Sequence, residues 1–477
     1  MNTATGVRDL RVSLAERIAR SAMALDSPVT PNDEFHDWWA GRAAALRQQV
    51  TRIPFAELGQ WSFDPATGNL GHVSGRYFLI EGLHVRSDYG PVPQWSQPII
   101  HQPEIGILGI LVREFDGVLH CLMQAKTEPG NCNDLQLSPT VQATRSNYTQ
   151  VHGGRAVPYL RHFREARPEQ IIADVLQSEQ GSWFFRKRNR NMIVEIDEDV
   201  PVGEDFRWVT IGQLHRLLNV DNLVNMDSRT VLSCLPLSGP GLGGAFSHAD
   251  DDWAVATVRS LTGERSLHST GEIMSWITDC QSRHEVVTRL VPLNQVERWH
   301  REDDAISHEE GRYFSVIAVD VEARGREIAS WRQPLLEPHG LGLAAFLARR
   351  IDDVLHVLVN ARVEPGYLDV VELAPTVQCT PDSYRHRPPH ERPAHLDTVL
   401  NAPRESIRYD TVLSEEGGRF YRAESRYVVV EPADDVEIEE TPDHRWMTLD
   451  QLADLLRHSH YVNVQARTLV TGLRGAW

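Results

Sequence analysis

No run of the 477 residues approaches the roughly 18 consecutive apolar residues of a membrane-crossing helix, so no transmembrane segment is expected. Cysteine is scarce. Its five copies (Cys121, Cys132, Cys234, Cys280, Cys379) form no CxxC pair and are odd in number, which reads as free thiols in a reducing cytoplasm. Positive charge is outweighed, 48 Lys+Arg against 66 Asp+Glu, and a net charge of −18 argues against nucleic acid as the main partner. A small phosphorylated ligand in a local basic pocket remains compatible with it. HExxH and GxSxG are missing, and His386, His390, His395, His458 and His460 read as solvated, so no metal site is expected. Gly239 to Gly244 matches GxGxxG in form but lacks the strand before it and the helix opening at it; it reads as linker, and no nicotinamide or flavin cofactor is expected.

What is present is ordinary globular composition, 41% hydrophobic and 24% charged, in a chain too long for one core. Gln124–Tyr148, QAKTEPGNCNDLQLSPTVQATRSNY, returns as Asn360–Tyr384, NARVEPGYLDVVELAPTVQCTPDSY, with both Glu128/Glu364 and Tyr148/Tyr384 spaced by 236 residues. Gly75–Phe78 and Trp95–Pro98 recur at the same offset as Gly311–Phe314 and Trp331–Pro334. So long a period means two whole domains. The expected division is an N-terminal helical extension over 1–29, a first repeat over 30–236, a linker over 237–267 and a second repeat over 268–477.

Leu10, Leu14 and Ile18 predict an amphipathic N-terminal helix, and Asp9 and Glu16 count against a transit peptide. Thr30 to Glu34 predicts a helix start, answered in the second half by Ser269 to Glu285. The apolar runs around Phe115-Asp116-Gly117 predict a β-hairpin, and their continuity a sheet covered on both faces. Pro168–Gln180 and Arg404–Glu416 read as helices ending at glycine, and Met192–Glu195 and Tyr427–Glu431 as strands. The expected class is α/β, made twice with a mixed sheet.

Retained residues hold the fold or touch a shared part of a ligand. Pro129, Gly130 and Pro139 read as turn residues, whereas Glu128/Glu364, Gln142/Gln378 and Tyr148/Tyr384 are polar and serve either a ligand or the sheet. Trp95 and Trp331 fall in expected loops and either stack on a base or plug the core. Differences are more telling: Lys126 faces Arg362, Gln136 faces Glu372 and Asn131 faces Tyr367. Lysine can exchange a proton where arginine stays charged, so the first copy is the better place for chemistry. Arg186, Arg188 and Arg190 share one face if extended, a geometry for clamping a diphosphate or for a solvated edge.

The strings PIIHQPEIGILGILVREFDGVLHCLMQAKTEPGNCNDLQLSPTVQATRSNY, RKRNRNMIVEI and NMDSRTVLSCLP resemble the NDP-hexose 2,3-dehydratases of deoxysugar biosynthesis, from about Asp37 to Leu473. The resemblance implies tandem Nudix-type α/β domains, a homodimer, a dTDP-4-keto-6-deoxyhexose substrate and loss of water across C2 and C3. No Nudix box occurs in either half, which disfavours a diphosphate hydrolase. The chemistry needs a base at C3, a donor at the ketone oxygen and an acid at the C2 hydroxyl, and no redox cofactor. Lys126, Glu128 and Tyr148 are the expected proton-handling set, with Glu128 the preferred base and Lys126 or Tyr148 at the ketone. Gln136, Gln142 and Asn147 are candidates to orient the sugar, Arg188 and Arg190 to hold the diphosphate, and Trp95 to hold the base. Gln97, Thr140, Trp331, Glu364, Gln378 and Tyr384 complete the expected ligand contacts. The rival readings are a nucleotide-sugar binder and a divergent Nudix hydrolase.

Overall fold

The computed structural model describes residues 13–144, 157–239, 242, 246, 251–323 and 329–475. The first half runs α1 (Leu14–Met23), α2 (Asn32–Ala45), β1 (Gln48–Ile53), β2 (Trp61–Phe63), β3 (Leu70–His72), β4 (Leu79–Ser87), β5 (Gln94–His101), β6 (Gly106–Phe115), β7 (Val118–Thr127), β8 (Leu135–Ser138), β9 (Val141–Ala143), α3 (Leu160–Arg164), β10 (Ile171–Ser178), β11 (Arg188–Glu195), β12 (Phe206–Thr210), α4 (Ile211–Leu217) and α5 (Met226–Ser233). The second runs α6 (Asp252–Thr262), α7 (Thr270–Arg283), β13 (Val286–Val291), β14 (Trp299–Arg301), β15 (Ala305–His308), β16 (Phe314–Ala323), β17 (Ser330–Pro338), β18 (Gly342–Ile351), β19 (Val354–Val363), β20 (Val371–Ala374), β21 (Val377–Cys379), α8 (Leu396–Leu400), β22 (Ile407–Ser414), β23 (Glu424–Val430), β24 (His444–Met447), α9 (Leu449–Leu455) and α10 (Val464–Leu473).

Each half builds the same seven-stranded mixed sheet. In the first, the order is β10-β11-β6-β7-β12, with β8 added to β7 and β9 to β6; β20-β19-β18-β23-β22 with β21 and β24 repeats it. Among the described strand pairs of these two sheets, only β11 against β6 and β23 against β18 run parallel. The β6–β7 turn is the expected one, with Asp116 and Gly117 both at positive φ (48° and 79°), the conformation a two-residue hairpin requires.

Two expected helices are strands. Pro168–Gln170 and Arg404–Ser406 make only a 3-10 turn, after which β10 and β22 pair antiparallel with β11 and β23. Ile171 and Ile172 are β-branched, and the segment gains an antiparallel ladder along β11 that an isolated helix would not have. The WxQP segments, expected as loops, lie in β5 and β17. The stretch 237–267, expected as linker, contains α6, capped by Asp251. That helix duplicates α1: Ser21 Oγ accepts from the Ile211 N–H at 3.0 Å, and Ser260 Oγ from the Leu449 N–H at 2.8 Å.

The halves are interlocked. β1, from the first half, pairs antiparallel with β16 of the second over Gln48–Ile53, and β13, from the second, pairs with β4 of the first over Val286–Val291. Each of the two smaller sheets therefore takes one strand from the other repeat. The Pro-Gly turns cross as well. The Gly130 N–H donates to the Gly417 carbonyl at 2.7 Å while the Gly130 carbonyl accepts from Arg422 N–H at 2.8 Å. Gly366 makes the mirrored pair with Gly181 and Arg186, both at 2.7 Å. A Cβ on Gly130 would stand 1.6 Å from the Phe420 carbonyl oxygen, so this close crossing of two chains, and not only the turn, requires glycine.

One hydrophobic core runs through both halves, from Ile18 and Met123 to Phe346 and Leu469. α5 and α10 pack together at its centre. There the fully buried Arg229 donates to the Ser414 carbonyl (2.7 Å) and Arg467 to the Ser178 carbonyl (2.5 Å), each tying down the end of a strand, β22 or β10, of the opposite repeat. Among the described residues no helix is long and apolar enough to cross a membrane.

Candidate functional site

Lys126 is the last residue but one of β7, and Glu128 follows two residues on, just past the strand end. The Glu128 Oε1 accepts from Lys126 Nζ at 3.0 Å and from Gln142 Nε2, on β9, at 2.8 Å. Register places Gln136 opposite Lys126 across the β7–β8 ladder. Gln136 Nε2 donates to Ser414 Oγ at 2.7 Å, so the second repeat forms one wall. The Lys126 side chain keeps 20% of its surface exposed and that of Glu128 9%, so the pair is sheltered but reachable. Gln142 Oε1, Gln136 Oε1 and Asn131 Oδ1 are buried without a partner among the described residues. Acceptors left open in this way suit hydroxyl donors of a ligand.

The second repeat carries the same frame with different chemistry. Glu364 Oε1 accepts from Arg362 Nε at 2.8 Å and from Gln378 Nε2 at 3.1 Å, and its Oε2 from the Ser182 N–H of the first repeat at 3.1 Å. Gln378 Oε1 is satisfied by Asn463 Nδ2 at 2.7 Å, unlike its counterpart Gln142. Tyr367 fills the place of Asn131, and burial raises its hydroxyl well above the usual phenol value. Tyr89, from the first repeat, comes beside Arg362, and Tyr384 is raised by burial there too. Ser178 Oγ donates to Glu372 at 2.5 Å, the counterpart of the Gln136–Ser414 contact. Each pocket is thus closed by the other repeat.

Several residues expected in the site are engaged elsewhere. Thr140 is buried and bridges β6 and β7, accepting from the Leu111 N–H at 2.9 Å and donating to the Leu122 carbonyl. Trp95 packs beside Leu83, Val85 and Ile99, with its Nε1 donating to Gln97 Oε1 at 2.9 Å; Gln97 in turn donates to the Ser182 carbonyl at 2.7 Å. Trp331 and Gln333 repeat this arrangement and reach the Gly418 carbonyl at 3.0 Å. These pairs buttress the crossing loops. Arg190 makes a bidentate pair with Asp174 at 2.7 and 2.6 Å, retained as Arg426–Asp410, so it is a cross-strand ion pair common to both repeats. Arg188 lies within electrostatic range of His460, a residue of the second repeat. Asn147 and Tyr148 lie outside the described residues. A cleft of about 790 Å³, between Val157–Glu165 and Asp199–Gly203, holds none of the Lys126 group.

Sequence reasoning passed over four acidic and basic groups here. Asp227, in the first turn of α5, is buried and pushed well above the usual carboxylate range by burial and then by Glu416, Glu179 and Glu128, with Lys126 pulling the other way. Glu416 is raised by enclosure in protein and by Glu128, against Arg419, Lys187 and Lys126. Burial and Glu416 raise Glu179, and burial lowers Lys187. One signal was available. Lys126 and Lys187 are the only lysines among 48 cationic residues, and both stand in this cluster.

A family model described as NDP-hexose 2,3-dehydratase matches residues 32–235 and again 270–473. The chain belongs to the NDP-hexose 2,3-dehydratase family. Its similarity extends over whole proteins named dTDP-4-dehydro-6-deoxy-alpha-D-glucopyranose 2,3-dehydratase. It is 52% identical to one from Amycolatopsis orientalis over 467 residues, 97% of this chain and 94% of that protein. With one from Saccharopolyspora spinosa the identity is 50% over 461 residues, 97% and 95% of the two chains. With one from Streptomyces violaceoruber it is 49% over 449 residues, 94% and 98%. For this member of the family the two matched stretches fall on the two repeats, so family membership covers both pockets.

Proposed function

We propose that the chain removes water across C2 and C3 of dTDP-4-keto-6-deoxyglucose, giving an enol that becomes the 3,4-diketo-2,6-dideoxy sugar. The observation that carries this reading is the Lys126–Glu128 pair, a proton-exchanging cation and a carboxylate held 3.0 Å apart in the repeat whose twin has arginine. The C4 ketone acidifies the C3 hydrogen, Glu128 takes it, and Lys126 or Tyr148 supports the charge gathering on the ketone oxygen. A placed base typically contributes about 10²–10⁴ in rate, and one donor at an oxyanion about 10²–10³. Gln136 and Gln142 offer open acceptors to the sugar hydroxyls, and the second pocket is a nucleotide site without elimination chemistry. The Nudix-type reading of each repeat, a homodimer and a cytoplasmic location belong to the same proposal.

Incubation with dTDP-4-keto-6-deoxyglucose in D₂O tests it. Loss of the C2 hydroxyl with deuterium entering at C2 of the product is expected. A protein that only binds the sugar nucleotide would return it unchanged, and a Nudix hydrolase would release nucleoside monophosphate.

A further inference from the structure

The elimination needs an acid for the departing hydroxyl, and the Lys126–Glu128 pair does not supply one. We propose that Glu416, carried by the second repeat, is the general acid of the first repeat's pocket, and that Asp227 behind it shares its proton. This rests on the dehydratase reading above.

Geometry places Glu416 at that pocket. At Gly418 a Cβ would lie 3.2 Å from Glu416 Oε1 and 3.8 Å from Glu128 Oε1, so both carboxylate oxygens approach this glycine closely. Two carboxylates, one from each repeat, therefore converge on the same glycine, which leaves room for both. Glu416 retains some exposed surface, whereas Asp227 is only 3% exposed and cannot itself meet a substrate.

The duplication gives the second argument. Glu416 corresponds to Gln180 and Asp227 to Gln465, so the second pocket has amides where the first has acids. With Lys126 replaced by Arg362, three proton-exchanging positions of the first pocket are answered by groups that do not exchange protons near neutral pH. Glu128/Glu364 and Glu179/Glu415 are carboxylates in both copies, and Glu372 is one in the second copy alone.

Charge balance then decides the protonation. Asp227 and Glu416 both lie within electrostatic range of Glu128 and Lys126, Asp227 also of Glu179, and Glu416 also of Lys187 and Arg419. Carboxyls this close cannot all ionise, and the environments that separate acid from base are those that divide one ionised group from a protonated neighbour. Burial and neighbouring carboxylates raise Glu416 and Asp227, so the proton resides on that side, while Glu128 has Lys126 and Gln142 as direct hydrogen-bond partners. In the reaction Glu128 takes the C3 proton, the C2–O bond breaks with its electron pair leaving on oxygen, and that oxygen takes the Glu416 proton to leave as water. The enol then takes a proton at C2 as its C3 hydroxyl loses one. The proton on Glu128 returns to the Glu416–Asp227 pair before the next turnover.

The test compares wild type and Glu416→Gln on two substrates, dTDP-4-keto-6-deoxyglucose and its 2-fluoro-2-deoxy analogue, whose fluoride leaves without a proton. Glutamine already fits at Gln180, so the fold accommodates it, and dTDP affinity and melting temperature report any collapse. Expected is a loss of about 10²–10⁴ in dehydration, with dTDP affinity kept within about threefold and fluoride elimination near the wild-type rate. Asp227→Asn is expected to shift the pH profile of dehydration but not that of fluoride loss. Equal impairment on both substrates, undiminished dehydration by Glu416→Gln, or collapse of this variant while Glu416→Asp keeps fluoride loss and dehydration alike would overturn the assignment. Wild type inert on both substrates would overturn the dehydratase reading itself.

Discussion

The ammonium of Lys126 stands 3.0 Å from a carboxylate oxygen of Glu128, and 236 residues on, Arg362 holds Glu364 in the same way at 2.8 Å. One frame is used twice, with a cation that can give up a proton in one copy and a permanent charge in the other.

Glu128→Gln keeps the hydrogen-bonding shape beside Lys126 and Gln142 but removes the base. Turnover is expected to fall by about 10²–10⁴ with dTDP affinity within about threefold of wild type, measured by calorimetry alongside kcat. Undiminished kcat would remove Glu128 from the base role.

The exchange of β1 and β13 makes the halves mutually dependent. Residues 1–239 expressed alone leave β4 without β13 and β1 without a partner, besides exposing the apolar face of α5. The expected result is no cooperative thermal transition for either half and recovery of both transition and turnover on co-expression. A first half that melts cooperatively and turns over alone would contradict the composite pocket.

Glu372 is pushed up to about 8, chiefly by burial, so it is protonated in the folded protein at pH values where the unfolded chain has lost that proton. Where the folded state holds more protons, stability falls as pH rises, here between the ordinary carboxylate value and about 8, levelling off above. Glutamine occupies the matching position at Gln136. Glu372→Gln should therefore be more stable than wild type by an amount that grows from pH 5 to pH 8, reaching on the order of a few kcal/mol. Urea denaturation across that range reads it; a constant difference would mean that Glu372 is ionised in the fold.

Much of this was written in the sequence, and the reason for the remainder is physical. The Glu128/Glu364 repeat, the Asp116–Gly117 hairpin and the Lys126/Arg362 contrast follow from local chemistry and could be read directly. Ile171–Ser178 could not, because its apolar spacing also fits a helix and only pairing with β11 decides between them. Nor does a repeat say which copy supplies a given wall. Glu416 and Gln180 look like neighbours of their own pockets until the crossing at Gly130 and Gly366 carries each into the other. Asp227 was hidden as one of three changes within NMDSRT against NVQART, a helix start whose burial only the packing of α5 reveals.

The most direct measurement is steady-state turnover of Lys126→Arg on dTDP-4-keto-6-deoxyglucose, with dTDP affinity taken on the same preparation. Arginine already occupies this place in the second repeat, so the frame accepts it. The account predicts binding within about threefold and a loss of at least about 10² in kcat. Turnover close to wild type would show that the first pocket needs no proton-exchanging cation at this position, and the division of labour between the two repeats would fall.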